Sequence, residues 1–176
     1  MYSEKGQSLM ELVIVIAVVV IVIGALVFAT IASLRNAQFA KNQAQATKLA
    51  QEGLEWVRTG RDRNKGINDL DSSVTNWDTI WGYQISGGPD TFCNSSSIIK
   101  QCYFKILSDG SLIYINSSSA FPSGFAESIQ PNFERAITLS DDSASSDKQK
   151  TVTAIVTWTD FSGPHESKLT TILRKL

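Results

Sequence analysis

The hydrophobic pattern of the chain changes twice. From Leu12 to Leu34 no residue is charged, and Val, Ile, Leu and Ala fill most positions. A run of about 20 apolar residues is long enough to cross a bilayer as a helix. Its many β-branched residues lower helix propensity in water, but a single span in lipid must bond its backbone to itself, which only a helix does. After Leu34 the apolar positions thin out. Ala37, Ala40, Ala44, Thr47, Ala50 or Gln51, Leu54 and Val57 recur every three or four residues, with Phe39, Ala46, Leu49, Gly53 and Trp56 as a neighbouring stripe. That spacing continues the helix in amphipathic form, and its alanines predict a closely packed partner. Gly60 to Asn64 offers residues suited to a left-handed cap, so the helix should end there. From Gln7 to about Gly60 it would measure roughly 80 Å at 1.5 Å per residue.

Beyond the helix the period becomes two. The stretch 65–98 is rich in Gly, Asn, Asp and Ser and reads as a loop, with Tyr83–Ile85 as a possible strand start. Its Trp77 and Trp81 either anchor the loop on a sheet or present a binding surface. Tyr103–Leu107 and Leu112–Ile115 flank Ser108-Asp109-Gly110-Ser111, a strong hairpin signal. A loop over 117–131 precedes a strand at Phe133–Leu139, and 140–150 is again polar. Val152, Ala154, Val156 and Trp158 then alternate with Thr151, Thr153, Ile155, Thr157 and Thr159. A turn at 160–165 leads to a last strand at Ser167–Leu173. Consecutive strands joined by turns predict an antiparallel meander. The fold class is therefore α+β: a long N-terminal helix, transmembrane over about 12–34, packed on a C-terminal antiparallel sheet.

Composition narrows the function classes. The 176 residues carry 16 basic and 17 acidic side chains, a formal net charge of −1, which offers no polybasic footprint for nucleic acid. Catalytic chemistry finds little support. The single histidine, His165, sits in a turn beside Pro164 with no recognisable nucleophile motif, and no zinc-protease, nucleophile-elbow or phosphate-loop signature occurs. Ser86-Gly87-Gly88-Pro89 is turn chemistry. The expectation is a non-enzyme without cofactors.

The residue out of keeping with the apolar run is Glu11 at its edge. Carrying such a carboxylate to the centre of a bilayer costs roughly 2.5–3.5 kcal/mol even on the gentlest scales, so something should compensate. Gly6-Gln7-Ser8-Leu9-Met10-Glu11, followed by the apolar helix, resembles the processing signal of type IV pilins and pseudopilins. The resemblance implies cleavage by a prepilin peptidase between Gly6 and Gln7, with 1–6 as leader, 7–62 as helix and 63–176 as an extracytoplasmic β-rich head. It implies N-methylation of Gln7 and an assembly role for Glu11, the fifth residue counted from Gln7. The freed α-amino group, with a pKa of about 7.7–8, would be mostly cationic at neutral pH and would pair with Glu11 of a neighbouring subunit, fixing their axial stagger. Two features depart from the family pattern: Gln7 stands where Phe is commonest, and no proline precedes Pro89, Gly24 being the one softening residue in the span. The segment Leu49–Arg58 with Arg61-Asp62, and the order of the last three strands, also look like minor pilins of the pilus-modification type.

Further expectations follow from that resemblance. The partners implied are other pilin subunits, the prepilin peptidase, an inner-membrane assembly platform and, before assembly, membrane lipid. The location implied is a single-pass inner-membrane protein with an outward head, then an extracellular filament. In an exported domain Cys93 and Cys102 would form a disulfide worth around 2–3 kcal/mol, the alternative being two free thiols. Some pseudopilins hold calcium in a loop of the sheet, and Asp141, Asp142 and Asp147 are weak candidates for it, against a solvated acidic loop. One signal runs the other way. Arg35, Lys41 and Lys48 follow the span, whereas Lys5 before it is offset by Glu4, so the positive-inside rule alone would turn the head toward the cytoplasm. The alternative function is a permanently membrane-anchored extracytoplasmic binding module, with Trp77 and Trp81 in its ligand surface.

Overall fold

The computed structural model describes residues 5–85, 101–141 and 148–176, with side chains from Leu9 onward. Helix α1 covers Lys5–Asp62. The chain falls into two compact units, Met1–Lys41 and Asn42–Leu176. In the first, α1 is apolar on every side, and Leu9, Val13, Ile16, Val20, Ile23 and Phe28 are all more than half exposed. A helix hydrophobic all round has no single face to bury, and in lipid it needs none. It is long and apolar enough to cross a membrane.

In the second unit the end of α1 lies on a sheet. Strands β1 (Gly66–Asp71), β2 (Val74–Asn76), β3 (Gln101–Ile106), β4 (Leu112–Ser118), β5 (Glu127–Gln130), β6 (Phe133–Asp141), β7 (Gln149–Asp160) and β8 (Gly163–Arg174) form it, with the short helix α2 (Trp77–Ile80) between β2 and β3. The order is β2-β1-β4-β3-β6-β7-β8, and β5 pairs with the start of β6. The pairings are antiparallel except that of β1 with β4, which is parallel. The fold is thus α+β and its sheet mostly antiparallel, as the strand pattern predicts.

Several boundaries moved. The stretch beyond Lys65 holds β1, β2 and α2, and Tyr83–Ile85 belongs to no strand. β5 lies inside the expected 117–131 loop. The helix stop is where Gly60 and Asn64 placed it, with roles that differ. Asn64 takes the left-handed conformation at φ 48°. Its N–H donates to Arg61 O at 3.0 Å and that of Lys65 to Gly60 O at 2.8 Å, the paired bonds of a Schellman cap. Gly60 is needed for a different reason: a Cβ there would stand 2.5 Å from the Gly110 carbonyl oxygen in the β3–β4 turn.

The buried seam of the helix is Ala46, Leu49, Ala50, Gly53, Val57 and Gly60, drawn from both expected stripes, while Ala44 and Trp56 are exposed. It meets Val152, Ala154, Val156 and Trp158 of β7, Phe104 of β3 and Ile137 and Leu139 of β6 in one core. The sheet's other face carries a smaller cluster of Tyr103, Ala136 and Ile155, covered by Phe121 and Ala126.

Candidate functional site

The processing candidates lie at the start of α1. Gly6 and Gln7 are in its first turns, described as backbone only. Glu11 is exposed among exposed apolar neighbours, Leu9 at 65% and Met10 at 70%. A carboxylate on an otherwise apolar surface is costly to carry into lipid.

The head candidates resolve differently. Trp77 and Trp81 are 1% and 3% exposed, with ring centroids 6.0 Å apart. They anchor α2 in the core, and the alternative that they form a ligand surface does not hold. The anchoring is local in origin. Asn76 caps α2, accepting from Thr79 N at 3.1 Å, and the Asn64 side chain accepts from Asp78 N at 3.0 Å. Cys102 is buried in β3 and disulfide-bonded; Cys93 lies outside the described residues.

Of the calcium candidates, Asp142 and Asp147 also lie outside the described residues. Asp141 does not stand in a solvated loop. It ends β6 with a side chain 3% exposed, its Oδ1 accepting from Lys150 Nζ and its Oδ2 from Ile85 N. That carboxylate is already neutralised by a protein cation. Among the described residues no group of three His, Cys, Asp or Glu side chains is placed to hold a metal.

His165 faces Trp158 across the β7–β8 pair, the rings stacked at 5.4 Å, and its Nε2 is 2.9 Å from Asp160 Oδ1. Burial pushes the Asp160 carboxyl up, but bonds from His165 and from the Ser162 and Gly163 amides outweigh it and leave it below the usual range. The pair therefore braces the hairpin end. Beside it an open cleft of about 770 Å³ is lined by Phe121, Asn132, Phe133, Glu134 and Glu166 among others. Glu134 accepts from Gly124 N at 3.0 Å and Glu166 pairs with Lys168 at 2.9 Å, so both carboxylates have structural partners.

Two residues were missed in the sequence. Arg135 is 3% exposed on the inward face of β6. It donates to Glu127 Oε2 at 3.0 Å, Glu127 Oε1 at 3.1 Å and the Leu49 carbonyl at 2.9 Å. Gly53 makes room for it, since a Cβ there would lie 2.8 Å from Arg135 Cδ. Lys150, fully buried, extends the inward alternation of Val152, Ala154 and Val156 by one step. Carrying that alternation back two residues from Val152 exposes both the lysine and its need for a partner.

These features define an α+β protein with one long N-terminal helix, apolar enough in its first part to cross a membrane, and a small sheet head. The chain matches no family model, no curated protein and no solved structure.

Proposed function

We propose that the chain is a structural subunit, a minor pilin or pseudopilin, of a type IV pilus-like filament. The observation that carries the reading is the joint placement of Gly6-Gln7, Glu11 and a helix whose apolar side chains are exposed all round from Leu9 to Leu34. Such a surface suits two successive environments, lipid and a bundle of like helices, because neither requires a single buried face. In this reading a prepilin peptidase cuts after Gly6 and the new amino terminus at Gln7 is the candidate for methylation. An assembly platform then draws the helix from the inner membrane into the filament. Glu11 pairs with the terminal ammonium of a neighbour, and the head, 63–176, faces outward. Desolvating both charges together costs far less than desolvating Glu11 alone, and they meet at one stagger only.

The deciding experiment is the intact mass and N-terminal sequence of the protein recovered from its own cell envelope. A chain beginning at Gln7, with or without an added methyl group, is expected. A chain still beginning at Met1 in cells with active prepilin peptidase would replace this reading with the permanently anchored binding module.

A further inference from the structure

The segment from Trp77 to Ile85 crosses the core as a strap. Trp77, Ile80, Trp81 and Ile85 are each at most 3% exposed. Asn64 bonds its α2 end through Asp78, and the Tyr83 hydroxyl bonds Asp71. After α2 the strap has no strand ladder to satisfy its backbone. Two charged side chains supply bonds instead. Lys150 Nζ donates to the Tyr83 carbonyl at 2.6 Å, and Asp141 Oδ2 accepts from the Ile85 N–H. The same two side chains form an ion pair with each other, directly opposite in the β6–β7 register.

An ion pair is a poor choice for stability alone here. Both side chains are withdrawn from water, and a packed apolar pair of similar volume often stabilises a core as well or better. What an apolar pair cannot do is accept one particular N–H and donate to one particular C=O. The directed bonds fall on two of the strap's backbone groups, the Tyr83 carbonyl and the Ile85 N–H, beyond the reach of the sheet's own ladder.

We propose that Lys150 and Asp141 are a positioning pair: a buried latch that fixes the strap Trp77–Ile85 on the sheet. The latch does not depend on the filament reading, since it concerns the head alone.

The test uses the full chain in detergent micelles. Hydrogen exchange at the Tyr83–Ile85 amides is read together with the thermal midpoint. Lys150→Met leaves Asp141 buried without its cation and is expected to lower the midpoint. Lys150→Met with Asp141→Leu restores an apolar contact. Its midpoint is expected to return toward the original value while exchange at Ile85, now without its acceptor, becomes at least about tenfold faster, a separation that a purely stabilising role would not produce. If Lys150→Met does not fold, the double variant still decides. Asp141→Asn, which keeps an oxygen for the Ile85 N–H, is the milder second probe and is expected to retain more protection at Ile85 than the double variant. Original protection at Ile85 in the double variant, or an unchanged midpoint in Lys150→Met, would overturn the latch and leave apolar packing as what places the strap.

Discussion

At the residue scale, the head depends on two helix glycines whose missing Cβ lets a neighbour approach. Glycine inside a helix costs about 1 kcal/mol relative to alanine. Here Gly60 admits the Gly110 carbonyl and Gly53 admits Arg135. Gly60→Ala forces a methyl against backbone that cannot swing aside. It should destabilise the head by about 1–3 kcal/mol, read as a lower thermal midpoint. Gly82→Ala, where an added Cβ meets nothing within 4 Å, is the matched control and should change the midpoint little. Arg135→Met should cost more than an exposed arginine would, about 3 kcal/mol, since it strips Glu127 of a buried partner; chemical denaturation of the full chain measures it. The alternation of hydrophobic positions pointed to the inward faces of β6 and β7. Carried to Arg135 and Lys150 it places both inward, but it could not announce what meets them there, because their partners, Leu49 and Glu127, Tyr83 and Asp141, lie elsewhere in the sequence.

At the element scale, three turns share one device. Asp71, Asp109 and Asp160 each accept from the amide two residues on, at Ser73 (2.8 Å), Ser111 (3.0 Å) and Ser162 (2.7 Å). The Asp-x-Ser spacing lets a short carboxylate close its own turn. Hydroxyl and amide bonds from Ser73 hold the Asp71 carboxyl below its ordinary value of 3.8, and those from Ser111 do the same for Asp109. Asp160 is lowered as well, despite its desolvation. A carboxyl with a depressed folded pKa binds protons less readily folded than unfolded. Its contribution is therefore fully present above the unfolded value of 3.8 and is lost as pH falls through the folded one. The thermal midpoint should hold steady above about pH 5 and fall below about pH 4. Asp71→Asn and Asp109→Asn together should flatten that acid slope. The same turns explain which elements were legible. Asp109-Gly110 and Asp160-to-Gly163 stand between clear alternations and gave the β3–β4 and β7–β8 hairpins. Asp71 lies between strands too short for alternation to register, β2 being only Val74–Asn76, so β1 and β2 read as loop. β5 was hidden likewise: four residues whose pairing with β6 decides their state more than their own propensity.

At the scale of the whole molecule, the first unit is apolar where water would punish it, and that was fully legible, because a continuous uncharged run needs no tertiary information to interpret. The register role proposed for Glu11 would act between copies, and its test belongs there. Glu11→Ala should leave N-terminal processing intact and reduce incorporation into filaments, measured as the sheared-to-envelope ratio of the protein. Normal incorporation would remove the register role. The head was legible as a class and less so in its details, since the parallel β1–β4 contact joins pieces that no local pattern links.

One measure built into the head has a consequence for how such a chain can vary. Thr47 Oγ1 lies 3.3 Å from Ser167 Oγ, and Arg61 Nη1 donates to Arg174 O at 3.0 Å. Fourteen helical residues separate the first members, about 21 Å of rise. Seven strand residues separate the second, about 23 Å. Helix and strand run side by side as two rulers of equal length marked in different units. A single inserted residue would lengthen one ruler alone and, in the helix, turn every later side chain by about 100°. Length changes in this head are thereby confined to its turns and connecting loops, while Thr47–Arg61 and Ser167–Arg174 must keep their residue counts even where their identities drift.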